Sequence, residues 1–140
     1  MASITFTIYL NLMNPSPEGY PVRRHACATK RYCQTLDLRD DPQLISAYRR
    51  LHAPDGIWPE ILEGIRASGV LEMEIYLVGT RLFMIVELPA NLSWHEVMEK
   101  MAHQPRQAEW EALTARYQKA QATATSDEKW QLMERIFHLY

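Results

Sequence analysis

The chain has 140 residues, 47% of them hydrophobic, and a formal charge of -2 from 15 Lys and Arg against 17 Asp and Glu. That length and apolar content suit one domain with a real core, and the charge balance lacks the basic excess that a nucleic-acid partner would require. No stretch nears the roughly 20 apolar residues of a bilayer span and the start lacks the marks of a secretory signal, so a cytoplasmic protein without membrane contact is expected.

Residues 1–29 read as an N-terminal extension, because the breaker cluster Asn14-Pro15-Ser16-Pro17-Glu18-Gly19 is followed by Arg23-Arg24-His25 without apolar periodicity. Within it Ile4, Phe6 and Ile8 alternate as in a short strand; disorder and a displaced translation start are the competing accounts. The domain proper occupies 30–140. Lys30 to Leu38 reads as a strand, and Asp40-Asp41-Pro42 starts a helix that runs to about His52. Pro54, Asp55 and Gly56 break it, and a second helix runs from about Ile57-Trp58-Pro59 to Gly69. Val70 to Val78 and Arg81 to Leu88 are strands joined by the two-residue loop Gly79-Thr80. Ser93 caps a short helix to about His103, and Pro105 opens a longer one on which Trp110, Leu113 and Tyr117 share a face. Trp130 to Leu139 forms the last strand.

The order β-α-α-β-β-α-α-β predicts a ferredoxin-like α+β fold with one four-stranded antiparallel sheet. Helices can cover only one face of it. Met73, Ile75 and Leu77 supply one apolar set and Val70 and Tyr76 the other, so the second face needs a cover, most simply a second copy in a homodimer.

Tyr48 and His52 stand four residues apart on one helix, which aims a phenol and an imidazole at the same place. An imidazole titrating near neutrality can give and take protons, and the phenol can orient a hydroxyl. The structural alternative is that Tyr48 fills the core and His52 ends the helix. Trp110 can offer an indole to the C–H face of a pyranose, whereas Trp58 reads first as a core or interface anchor and second as a sugar contact. Cys27 and Cys33 match neither a redox pair nor half a zinc site, and the five scattered histidines have no metal-ligand spacing, so no metal is expected.

The run Tyr48-x-x-x-His52, Ile57-Trp58-Pro59-Glu60-Ile61 and Met73-Glu74-Ile75-Tyr76-Leu77 resembles the L-rhamnose mutarotase family. Lys30 to Leu38, Leu82-Phe83-Met84-Ile85-Val86-Glu87, Glu109-Trp110-Glu111 and Leu132-Met133-Glu134-Arg135-Ile136-Phe137 continue the likeness in order, over about 110 residues. The resemblance implies a dimeric α/β barrel and a cofactor-free mutarotase acting on a monosaccharide such as L-rhamnose or L-fucose. It implies His52 as the proton-transfer residue and Tyr48 as an active-site contact. Where many members have a Trp-Trp pair, this chain has one indole, Trp110, which leaves Glu109 or Glu111 as a replacement polar contact. The mechanism expected on that footing starts from protonated His52, with Tyr48 or a water relaying the second proton. The rival readings are a cofactor-free monooxygenase of the dimeric α+β barrel type and a non-catalytic small-ligand binding module.

Overall fold

Alternation along the strands decides which face of the sheet is buried. In β1 (Thr29–Asp37) Gln34 and Leu36 are buried, as is Leu38 just beyond it, while Cys33, Thr35 and Asp37 face the other way. β3 (Arg81–Pro89) repeats the pattern with Leu82, Met84, Val86 and Leu88 inward. The antiparallel register sets Leu36 opposite Leu82 and Gln34 opposite Met84, so the two buried rows form one surface. β2 (Glu72–Val78) adds Met73, Ile75 and Leu77 opposite Val86, Met84 and Leu82. With the short β4 (Gln131–Leu132) the sheet order is β2-β3-β1-β4, the expected ferredoxin-like arrangement. The computed structural model describes residues 17–140, so the strand expected near Ile4 to Ile8 lies outside the described residues.

Helices α1 (Pro42–Leu51), α2 (Pro59–Ala67), α3 (Trp94–Ala102) and α4 (Gln107–Ala115) supply the helical layer. α3 contributes Trp94, Val97, Met98 and Met101 to the core around Val86 and Leu88. Each such side chain, when fully buried, stabilises the fold by about 1.5–3 kcal/mol. The Asp41 carboxylate caps α1 by accepting from the amides of Gln43 and Leu44 at 2.9 and 3.3 Å. Gly79 takes φ +59 at the first position of the β2–β3 loop, as that hairpin requires.

Three expectations are corrected at the C-terminal end. Ser93 sits at the N-cap of α3 without a side-chain capping bond. α4 has nine residues, no more than α3, because the chain after it is captured by the end of β1: the Arg39 amide donates to Tyr117 O, and the Lys119 amide to Asp37 O. The last strand shrinks to Gln131–Leu132, because Thr125 and Glu128 form a capping box that starts a further short helix, α5 (Ser126–Lys129). Pairing with β1 then ends at the bond from the Met133 amide to Cys33 O, and residues 134–140 run on exposed.

Part of the N-terminal extension has a defined place. Glu72 and Glu87 lie directly opposite each other on the outer face, a destabilising like-charge pair. His25 Nε2 lies 3.0 Å from Glu72, Thr29 Oγ1 donates to Glu87 at 2.9 Å, and the Tyr20 ring meets Tyr76 edge-on.

Candidate active site

α1 ends at His52, one turn beyond Tyr48, and the two rings lie 4.2 Å apart. His52 Nδ1 is 2.8 Å from the Tyr48 carbonyl oxygen. A carbonyl only accepts, so Nδ1 carries the proton and the lone pair of the neutral ring is at Nε2. Burial pushes the His52 pKa below its usual 6.5, and the bond to the Tyr48 carbonyl opposes this only in part. The ring is therefore neutral at pH 7. Burial also holds the Tyr48 phenol far above its ordinary pKa, against the bond from Gln118, while the nearby Glu111 charge adds to the rise. Gln118 Nε2 donates to the Tyr48 hydroxyl at 3.1 Å, which leaves the phenol its own proton to donate.

Two indoles join this pair. Trp110 of α4 stands edge to face against His52 at 5.4 Å, and Trp58, the N-cap residue of α2, stands likewise against Trp110 at 5.1 Å. The guanidinium of Arg106 lies 4.0 Å over the Trp58 ring and reaches Glu60 at 3.5 Å and Glu109 at 3.4 Å. Arg106 holds φ 63, a left-handed conformation uncommon for a residue with a side chain. It thus ties α2 to the start of α4.

Tyr48, His52, Trp110 and Gln118 meet at a narrow cavity of about 40 Å³, backed by Ile61, Ile65 and Met73, with Trp58 outside it behind Trp110. That is room for a water or two, so a pyranose requires the walls to part. A larger hollow of about 350 Å³ adjoins it and shares Met101, Gln107, Glu111 and Ser126 with it.

Of the expected site residues, the fold brings together Tyr48, His52, Trp58 and Trp110. Glu109 is apart from them, with its side chain 65% exposed and paired with Arg106. Glu111 is the flanking carboxylate that reaches the cavity. It accepts from Gln107 Nε2 at 2.8 Å and from Lys129 Nζ at 2.7 Å, while Lys129 also donates to Thr114 Oγ1. Gln107, Gln118 and Lys129 escaped sequence reasoning. Gln107, Glu111, Thr114 and Gln118 do repeat at intervals of three or four, a polar stripe that could have shown them. Nothing in the sequence singles out Lys129. Among the described residues no three His, Cys, Asp or Glu side chains lie together as a metal site would need.

Fold and ring cluster together define a small ferredoxin-like domain with an imidazole set beside an aromatic wall. A family model described as L-rhamnose mutarotase matches residues 31–139, and the chain belongs to that family. An L-fucose mutarotase of Xanthomonas campestris pv. campestris is 38% identical over 110 residues, covering 79% of this chain and 88% of the relative. A UPF0734 protein of Dictyostelium discoideum is 30% identical over 118 residues, 81% of this chain and 93% of its own. The fold matches a crystal structure of an L-rhamnose mutarotase from Formosa agariphila with TM-score 0.58 at 18% identity, over 79% of this chain and 99% of that one.

Proposed function

We propose that this mutarotase interconverts the α and β anomers of L-rhamnose or a related 6-deoxy-hexose such as L-fucose, with His52 as its proton-transfer residue. The observation that carries this reading is the bond from His52 Nδ1 to the Tyr48 carbonyl, because it directs a basic Nε2 away from its own helix. The name of the Xanthomonas relative supports L-fucose, and the family's name supports L-rhamnose. Trp110, with Trp58 behind it, offers an aromatic wall for the apolar face of the ring.

Anomer exchange moves one proton from the anomeric hydroxyl to the ring oxygen, rotates the open chain about C1–C2 and reverses the transfer. Neutral His52 takes the hydroxyl proton at Nε2 as the C1–O5 bond breaks and the aldehyde forms. The ring oxygen takes a proton as it leaves, from the imidazolium itself or through one water. The balance closes without a metal, an oxidant or a covalent intermediate. Tyr48, whose buried phenol resists ionisation, orients a sugar oxygen rather than trading its proton. This reverses the protonation expected from sequence, where the charged imidazole came first. General acid–base help of this kind gives about 10²- to 10⁴-fold.

The test is saturation transfer between the α and β anomeric protons of L-fucose and L-rhamnose. Wild type transfers magnetisation between them, and His52→Ala loses at least about a hundredfold in rate while remaining folded. A fully active His52→Ala would remove His52 from the reaction. Sugar signals that broaden without exchange would instead support a binding module, and oxygen uptake with an aromatic substrate a monooxygenase.

A homodimer and a cytoplasmic location belong to the same proposal. Ile136, Phe137, Leu139 and Tyr140 are at least 75% exposed on an arm that leaves the sheet edge, and a second copy is the occupant that suits it. The family match runs to residue 139, so this apolar arm lies within the shared domain. Among the described residues no helix is long and apolar enough to cross a membrane, and both cysteines are free, which supports a reducing compartment.

A further inference from the structure

We propose that Gln107, Glu111 and Gln118 form a wall of buried, acceptor-rich side chains that reads the hydroxyl groups of a neutral sugar and sets it over His52. This deepens the mutarotase reading above and rests on it. All three side chains lie on the cavity that His52 and Tyr48 share, and Gln107 and Glu111 also line the larger hollow beside it. A sugar reaching from one hollow into the other would pass along them.

The three are buried, with Gln107 4%, Glu111 8% and Gln118 2% exposed. Polar atoms at such depth are destabilising unless partnered, yet the amide oxygens Oε1 of Gln107 and Gln118 have no hydrogen-bond partner among the described residues. The Gln107 amide cannot simply be turned round, because its Nε2 faces the Glu111 carboxylate at 2.8 Å and an oxygen there would be repelled. Gln118 spends its Nε2 on the Tyr48 hydroxyl. Lys129 is fully buried, and its ammonium is occupied by the Glu111 carboxylate, the Glu111 carbonyl and Thr114 Oγ1, so it fixes the carboxylate and adds no donor to the cavity. What remains on this wall is two amide oxygens, the second N–H of each amide and an immobile anion. Its complement is a row of hydroxyl donors, and a phosphorylated or carboxylated sugar would meet Glu111 as a like charge.

The experiment measures KM and kcat of anomer exchange for wild type, Gln107→Met and Gln118→Met, on L-fucose, L-rhamnose and their singly deoxygenated analogues. In wild type at least one deoxy analogue raises KM about tenfold or more, the scale of one lost hydrogen bond. Each Met variant raises KM for the parent sugar by a similar factor, lowers kcat far less, and no longer distinguishes that analogue from the parent. Folded variants that keep the wild-type KM and the wild-type ranking of analogues overturn the wall while leaving the mutarotase reading intact. A wild type that exchanges none of the sugars overturns both. Should a Met variant fail to fold, Gln107→Ala or Gln118→Ala takes its place in the same comparison, because Tyr48 also meets a sugar oxygen and the wild-type analogue series alone does not isolate the wall.

Discussion

His52 serves the proposed reaction only while its ring is neutral, and its surroundings keep it so. Burial lowers its pKa from 6.5, so kcat/KM is expected to stay level through pH 7 and to fall only as pH drops through a value below 6.5. The same shift acts on folding. The unfolded chain takes up a proton at this position near pH 6.5 and the native state resists it, so stability is full above that pH and declines as pH falls. A pH–rate profile and urea melts at pH 5 and 7.5 check both, and an inflection above 6.5 would contradict a buried neutral ring. Lys129 gives the sharper stability test. Its side chain is fully buried against Glu111, and Lys129→Met would leave an uncompensated carboxylate inside the protein, at about 3–5 kcal/mol. Glu111→Met added to it removes the orphaned charge, so the double variant should recover most of the loss in urea melts. A double variant as unstable as the single one would mean that packing, not charge, matters here.

At the scale of elements, the link between α1 and α2 fixes how far His52 stands from Trp58. A Cβ on Gly56 would come within 2.1 Å of the Arg50 carbonyl oxygen, which is backbone and cannot swing aside. Gly56→Ala is therefore expected to destabilise by about 1–3 kcal/mol and to lower kcat/KM together with it, read by thermal unfolding and anomer exchange. The sequence carried most of the element order, because each signal was local: alternation in β1 and β3, Asp41 before Pro42, and Gly79 in a tight loop. It misjudged the chain after Ala115, where long-range bonds between Tyr117, Lys119 and the end of β1 stop α4. The site divides in the same way. Tyr48 and His52 were legible because one helical turn joins them. Glu109 and Glu111 were not separable, since choosing between them requires the rotational phase of α4, and that helix buries Gln107, Trp110, Glu111 and Thr114 with no clean apolar stripe. Gln118 meets Tyr48 across 70 residues, a contact that no local pattern announces.

Among the described residues, helices layer one face of the sheet, and an apolar C-terminal arm runs on exposed beyond β4. If a second copy covers that arm, sedimentation should report about twice the 16.4 kDa of one chain, and truncation after Met133 should give the single mass. A full-length chain that sediments as a monomer at micromolar concentration would sink the homodimer. The placement of the indoles has a further consequence. The chain has four tryptophans: Trp110 and Trp130 line the cavity, Trp58 stands edge to face behind Trp110, and Trp94 is buried in the core. One indole, Trp110, thus stands against the imidazole, so on the proposed reading its emission is an optical gauge of that ring's protonation and of sugar binding beside it.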